Sequence, residues 1–252
     1  MLTAGQKHEF EAFGFLLLKD FIPPDEMQLY IDAFDGTMTK ANGGVPWQHA
    51  PANHGVIPFY RHNPAVYHHL LDHERISEVV EYLLGEDFVF WVAEGHHRWR
   101  GTAWHHDSVG PEGLTHLKVD LFLDPVRADT GCLRMLPGSH FPQMRERMER
   151  WYGGPGLGDD ADWPAAIPME SDPGDAVIFN VNTYHAALGD SHDRRSINIS
   201  YIKKPQTLEH KEYLKRMYDY DSPYYTSELF EDATPKRMRM LSYLKEAIYD
   251  AG

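Results

Sequence analysis

The sequence predicts a mainly β domain with flanking helices, and three observations support that fold class. Residues 194–201 (RRSINISY) alternate polar and apolar side chains with the two-residue period of a β-strand. Residues 176–179 form a short apolar segment directly after a Pro-Gly-Asp turn, which is typical of a buried strand. Strands should dominate from residue 88 to residue 201, because apolar residues at helical spacing occur mainly before and after that region.

The N-terminal third is predicted to contribute helices and one strand. Residues 9–18 begin as a helix or turn and end as a strand. Residues 24–34 form a helix with Pro24 near its first turn, a position that favours proline. Residues 75–84 carry apolar side chains at helical spacing, and Gly85 terminates that helix.

Two further features interrupt or follow the strand region. Residues 145–151 predict a short helix, and residues 153–162 after it are rich in glycine and aspartate. Flexible loops of this composition beside a site often act as lids, and the sequence does not determine whether this loop is one. Helical patterns resume after Pro205, which predicts a helical extension from about residue 206.

Composition indicates one domain and excludes several classes of partner. The chain has 252 residues, 42% of them hydrophobic, and shows no linker or repeat, so we predict a single domain over residues 1–252. The first ten residues are polar and no apolar run reaches the roughly 20 residues of a membrane span, which predicts neither a leader nor a membrane anchor. The formal charge of −14 argues against nucleic acid and anionic membranes as partners. The lone Cys132 excludes an internal disulfide and favours a cytoplasmic location.

A candidate metal centre begins at His105 and Asp107, which lie two positions apart and therefore point to one side of an extended segment. A second histidine, His185, must come from another strand. Two imidazoles and one carboxylate hold one face of Fe(II) and leave three positions for an oxo acid and dioxygen. A basic residue follows His185 at Arg194 or Arg195, where a guanidinium would pair with the far carboxylate of the oxo acid.

These residues, together with residues 130–140 (TGCLRMLPGSH) and the N-terminal segment FGFLLL, resemble the phytanoyl-CoA dioxygenase family over about residues 8 to 203. The resemblance implies a double-stranded β-helix, the cupin-like jelly-roll, with the metal at its open mouth. It implies Fe(II) held by His105, Asp107 and His185, with 2-oxoglutarate and O2 as cosubstrates. The family's pattern of arginine, any residue, small residue and aliphatic residue selects Arg194 as the 2-oxoglutarate ligand. The strand alternation agrees, although a register slip by one residue would select Arg195.

The resemblance implies an Fe(II)/2-oxoglutarate-dependent dioxygenase that releases succinate and CO2. One departure bears on its substrate, because Asp120 stands where the family often carries a tryptophan, on a face shared with Lys118 and Phe122. A polar wall of this kind argues against a long acyl-CoA. We therefore expect hydroxylation of a C–H bond in a small polar, anionic metabolite, and the expected substrate contacts are Asp120, Asn198, Arg98 and Trp99.

Alternative functions and states remain open at this stage. The same centre could give desaturation or cyclisation, since the outcome depends on substrate placement. Asp107 occupies the position that a halide would need, which disfavours halogenation. A noncatalytic metal-binding jelly-roll that acts as a sensor is the alternative from another class. Arg98 could instead belong to a solvated face that pairs with acidic side chains. The protein is expected to be a monomer or homodimer.

Overall fold

The computed structural model describes residues 2–47, 55–98, 101–107, 110–152, 162–163, 165–189 and 193–249. Ten strands lie in these residues: β1 Phe15–Leu18, β2 Gly55–Ile57, β3 Val89–Arg98, β4 Thr102–His105, β5 His116–Phe122, β6 Thr130–Met135, β7 Ile167–Met169, β8 Ala176–Asn180, β9 His185–Gly189 and β10 Arg194–Ile202. The α-helices are α1 Ala4–Phe13, α2 Pro24–Ala41, α3 Phe59–His62, α4 Pro64–Leu71, α5 Glu74–Leu84, α6 Pro142–Tyr152, α7 Leu208–Tyr220, α8 Pro235–Met240 and the single turn α9 Ser242–Leu244.

The strands form two antiparallel sheets, and this arrangement with flanking helices is the predicted mainly β architecture. The larger sheet has the order β1-β8-β5-β10-β3-β2, and the smaller has the order β4-β9-β6-β7. An apolar cluster between the sheets includes Phe122, Cys132 and Ala187, all nearly inaccessible to solvent. The metal-binding residues predicted from the sequence lie on the smaller sheet, and the predicted 2-oxoglutarate ligand lies on the larger one.

Strand β10 divides the molecule into an apolar side and a polar side. Ile197 and Ile199 are fully buried in the main core, which also includes side chains from α2, α4, α5 and α7. Arg194, Ser196 and Asn198 alternate with them and face the cleft between the sheets. The sequence alternation therefore predicts correctly which side chains of β10 face the cleft.

The flanking helices lie where the sequence predicted them, and helix α2 is longer than predicted. Helix α5 ends at Leu84, and its C-cap Gly85 has a φ of 97°, a conformation that favours glycine. Helix α2 begins at Pro24 as predicted but continues to Ala41, because Thr37 and Met38 extend its buried face beyond the predicted end near residue 34.

The C-terminal helical segment packs directly on β3. The hydroxyl groups of Tyr218 and Tyr225 donate to the carbonyls of Phe90 and Trp91 at 2.6 and 2.8 Å. Both tyrosines are buried, so the segment shares the main core. Among the described residues, no helix combines the length and apolar character needed to cross a membrane.

Candidate metal centre

The three predicted ligands converge where β4 and β9 pair. His105 ends β4 and lies directly opposite His185, which begins β9. Asp107 follows β4, and its backbone N–H donates to the carbonyl of Val181 at 3.0 Å. Asp107 Oδ1 lies 3.5 Å from His105 Nε2 and 3.7 Å from His185 Nε2. Within the described residues this is the one group of three such side chains whose ligand atoms come close enough to share a metal ion.

Backbone carbonyls orient both imidazoles toward this point. His105 Nδ1 donates to the carbonyl of Ala103 at 2.8 Å, and His185 Nδ1 donates to that of Thr183 at 2.9 Å. A carbonyl only accepts, so each Nδ1 carries the hydrogen and each Nε2 directs a lone pair at the centre. Burial lowers the pKa of His185 to about 4, which keeps its ring neutral at physiological pH. The donor set therefore fits a divalent metal with open positions.

Lys118 holds the third ligand in place, a role that the sequence did not predict. Its Nζ lies 2.6 Å from Asp107 Oδ2, which leaves Oδ1 facing the imidazoles. Burial acts to raise the pKa of Asp107, but the charge of Lys118 and its hydrogen bond to the carboxylate hold that pKa well below its usual range. The carboxylate is thus ionised and aligned. The signal available in the sequence was a lysine that shares a strand face with Asp120 in an otherwise apolar strand.

The two candidate arginines lie in opposite surroundings. Arg194 is 6% exposed, donates from Nη1 to the carbonyl of Gly131 and lies over the ring of Phe122, while its Nε has no partner. It forms no salt bridge with any described residue. Burial and the nearby Arg98 lower the pKa of Arg194 to about 10, so it stays charged.

Arg195 faces the other side of the sheet, and its guanidinium is fully engaged. It contacts Asp124 through two nitrogens, at 2.7 and 3.1 Å, and reaches Asp35 at 3.3 Å. The hydrogen bond to Asp124 raises the pKa of Arg195. These ion pairs leave Arg194, and not Arg195, available to a bound carboxylate.

Three of the four predicted substrate contacts line the same cleft as the metal-binding residues: Arg98, Asp120 and Asn198. Arg98 donates to His96 Nδ1 at 2.8 and 3.1 Å, so it belongs to the cleft, and the alternative of a solvated face is wrong for this residue. Trp99, the fourth predicted contact, lies outside the described residues. The same holds for residues 153–161 of the loop rich in glycine and aspartate.

Several cleft residues were not predicted as part of the site. His96, Thr102, Ser196, Phe122, Leu133 and Phe179 line it together with Lys118. His96 shares the cleft face of β3 with Arg98, and this two-residue spacing was the available signal. His106 packs its ring against Tyr184, away from the ligands, in agreement with its predicted opposite orientation.

Comparisons with known proteins agree with this geometry. The family model for phytanoyl-CoA dioxygenase matches residues 10–197. A curated relative, the 2-aminoethylphosphonate dioxygenase of the uncultured bacterium HF130_AEPn_1, is 26% identical over 150 residues, which are 56% of this chain. The match likewise spans 56% of that relative's length, a little over half of it.

Solved structures similar to this chain share its fold at low sequence identity. HygX from Streptomyces hygroscopicus, solved with nickel and 2-oxoglutarate bound, has a TM-score of 0.64 at 18% identity, covering 82% of this chain and 89% of HygX. The α-ketoglutarate-dependent carbocyclase SnoK from nogalamycin biosynthesis has a TM-score of 0.62 at 18% identity, covering 80% and 84%. EctD from S. alaskensis, with 2-oxoglutarate and 5-hydroxyectoine, has a TM-score of 0.61 at 16% identity, covering 79% and 76%.

The family match covers most of the chain, and the predicted jelly-roll fold is confirmed by the structural similarities. The structure also brings the three predicted metal-binding side chains together. The chain belongs to the phytanoyl-CoA dioxygenase family.

Proposed function

We propose that this protein hydroxylates a C–H bond of a small polar, anionic metabolite, with release of succinate and CO2. The observation that supports this most directly is the convergence of three ligand atoms beside an unpaired, buried arginine. His105, Asp107 and His185 would hold Fe(II) through two Nε2 atoms and one carboxylate oxygen. When bound, Fe(II) with 2-oxoglutarate and O2 supplies the oxidising power that inserts one oxygen atom into the substrate.

Arg194 would bind the carboxylate of 2-oxoglutarate that lies farther from the metal. Its charge is buried without a carboxylate partner among the described residues, which is costly unless a bound anion compensates it. The ring of Phe122 lies against its guanidinium, with 5.8 Å between the ring centre and the guanidinium carbon, and restricts its orientation. The bound 2-oxoglutarate of HygX is consistent with this assignment.

The remaining cleft wall is polar and carries positive charge toward the substrate. Arg98 supplies a guanidinium, while Ser196, Asn198 and Asp120 provide polar groups along the same wall. A long acyl chain would instead need a wall of apolar side chains. The curated relative acts, by its name, on 2-aminoethylphosphonate, which supports a small anionic substrate.

We further propose one domain over residues 1–252, located in the cytoplasm, that is a monomer or homodimer. Cys132 is buried and unbonded to other cysteines, as expected in a reducing compartment. Its thiol accepts a hydrogen bond from Arg134 and lies in the core between the sheets, so it does not serve as a metal ligand. Size-exclusion chromatography with light scattering would determine the oligomeric state.

The proposed function is tested by reconstituting the protein with Fe(II) under anaerobic conditions, adding 2-oxoglutarate and air, and measuring succinate with small carboxylates, phosphonates and amines. We expect substrate-stimulated succinate release and, by mass spectrometry, a product with one added oxygen atom. A product that lacks two hydrogens would show desaturation or cyclisation instead. Robust coupled turnover of a long-chain acyl-CoA would contradict the proposed substrate class. His8→Ala, at an exposed histidine on α1, is the matched control for His105→Ala.

A further inference from the structure

Asp120 is the one carboxylate of the cleft that receives no hydrogen bond from a described residue. The three cations around it donate elsewhere: Lys118 to Asp107, Arg98 to His96, and Arg194 to the carbonyl of Gly131. Asp120 is only 5% exposed, and its Oδ1 is buried without a partner. A buried carboxylate without donors is unfavourable unless a ligand supplies them.

Asn198 lies beside Asp120 and presents a second unpaired acceptor. The two residues are direct partners across β10 and β5, so their side chains leave the sheet on the same face and about 5 Å apart. Asn198 Oδ1 is buried and has no hydrogen-bond partner. Both residues line the cleft that holds the metal-binding residues. Two adjacent acceptors, one of them a carboxylate oxygen, match a ligand that carries N–H or O–H donors.

A further carboxylate extends the negative potential of this row. Glu94 on β3 is the partner of Asn198 on its other side, which places an amide between two acidic residues. Glu94 Oε2 accepts a hydrogen bond from His96 Nε2 at 3.1 Å, and the carboxylate keeps its negative charge. The row Glu94–Asn198–Asp120 therefore places two carboxyl groups on either side of the Asn198 amide, where they can attract a cationic donor.

We propose that Asp120 and Asn198 bind a positively charged amine of the substrate, and that the substrate is a zwitterion whose anionic group is bound by Arg98. This inference rests on the proposed function and narrows its substrate class. An ammonium group has three donors and no acceptor, which matches two unpaired acceptors that face one point. Arg98 lies on β3, four residues along that strand from Glu94 and opposite Arg194 of β10, so the two arginines lie at one end of this row of strand residues and the acidic pair at the other.

The test uses the full chain loaded with nickel and 2-oxoglutarate, so that binding is measured without turnover. Isothermal titration compares pairs that differ only in the amine: β-alanine with propanoate, γ-aminobutyrate with butyrate, and 2-aminoethylphosphonate with ethylphosphonate. We expect at least one amine of the panel to bind at least about 30-fold more tightly than its amine-free partner, because a buried charge pair is formed.

Variants assign the effect to the proposed residues. Asp120→Asn should weaken binding of the amine by about 30-fold or more and leave binding of the amine-free partner unchanged. Asn198→Ala should weaken it by about 10- to 150-fold, the effect of one hydrogen bond to a charged group, and provides a second test if Asp120→Asn folds poorly. Asp219→Asn removes an exposed carboxylate on α7 and should have no effect.

The inference is overturned if no amine in the panel binds, if amines and amine-free partners bind equally, or if both cleft variants bind the amine as tightly as the parent. Nickel and 2-oxoglutarate binding are recorded in the same titrations. If the protein binds nickel and 2-oxoglutarate but shows no preference for amines, this inference is refuted and the proposed function stands. Loss of metal or 2-oxoglutarate binding in the parent protein would instead refute the proposed function.

Discussion

Two charged clusters lie on opposite faces of strand β10, and they differ in how their charges are paired. On the outer face, Arg195 contacts Asp124 and Asp35, and His97 contacts Asp193. On the cleft face, Arg194 has an unpaired Nε and Asp120 an unpaired Oδ1. The outer cluster lines the larger cavity, about 400 Å³ compared with about 60 Å³ for the cleft.

The two clusters differ in whether their charged side chains form ion pairs, and this difference distinguishes the site better than cavity size or charge density does. Charged groups that form ion pairs with one another contribute to the stability of the fold, and they present little uncompensated charge to a ligand. Buried charges that lack a partner destabilise the protein until a ligand supplies one, which is the arrangement expected of a binding site. On this basis we propose the smaller cleft as the functional site.

The largest expected effect comes from the metal-binding residues. Replacing His105, Asp107 or His185 with Ala should abolish both iron retention and 2-oxoglutarate turnover, because facial coordination needs all three side chains. Bound iron is measured by elemental analysis after desalting, and turnover by succinate release. Iron binding and turnover like those of the parent in His105→Ala would show that the assignment is wrong.

The second prediction compares the two clusters directly through adjacent arginines. Arg194→Ala should raise the 2-oxoglutarate dissociation constant by roughly 30- to 5000-fold, since an unpaired buried carboxylate costs about 2–5 kcal/mol. Arg195→Ala should leave that constant nearly unchanged and lower the free energy of unfolding by on the order of 1 kcal/mol, because it removes a partly exposed ion pair. Titration of the metal-loaded protein and chemical denaturation give the two values. The reverse pattern would mean that the outer cluster binds the cosubstrate.

The sequence was sufficient to predict the fold class and the face of β10 that carries Arg194, because a two-residue period defines which side chains share a face. It did not predict the engagement of Arg195 with Asp124 and Asp35. These residues are far apart in the chain, and no local pattern reports that α2 brings Asp35 to β10. Ion pairs between distant residues depend on the tertiary structure, whereas the alternation of side chains between two faces depends on the strand alone.

Lys118 illustrates the same limit within the cleft. The strand pattern places it on one face with Asp120, yet its contact with Asp107 depends on the turn after β4, where the Asp107 N–H bonds to Val181. The sequence therefore predicted the three candidate metal ligands, which the structure brings together, without the cation that orients one of them. Side chains that bind a metal follow recognisable spacings, but the partners that orient them do not.

The third prediction tests whether this paired cation supports the site. Lys118→Met should weaken metal binding by about 10- to 100-fold, because Asp107 loses the partner that orients its carboxylate. Competition with a chelator measures the metal affinity. Lys204→Met is the matched control, since Lys204 pairs with Asp87 at 2.7 Å between two exposed side chains and should not affect the metal. Unchanged or tighter metal binding in Lys118→Met would contradict the orienting role.

The last prediction concerns His116, a polar side chain that is unpaired among the described residues and lies outside the cleft. Both ring nitrogens of His116 are buried without partners between Trp91 and Tyr213, and burial lowers its pKa to about 4 from 6.5.

Above pH 6.5 the ring is neutral in both states. As the pH falls toward 4, only the unfolded chain takes up the proton, so this group should remove roughly 2–3 kcal/mol from the free energy of unfolding.

In His116→Phe the free energy of unfolding should depend less steeply on pH between 6.5 and 4, and 2-oxoglutarate binding should be unchanged. His8→Phe is the control at an exposed histidine. Denaturant unfolding at several pH values measures the slope. An equal slope in His116→Phe and the parent would show that His116 does not titrate in this way. A loss of 2-oxoglutarate binding would show that unpaired buried groups outside the cleft also serve the site, and pairing alone would then no longer separate function from stability.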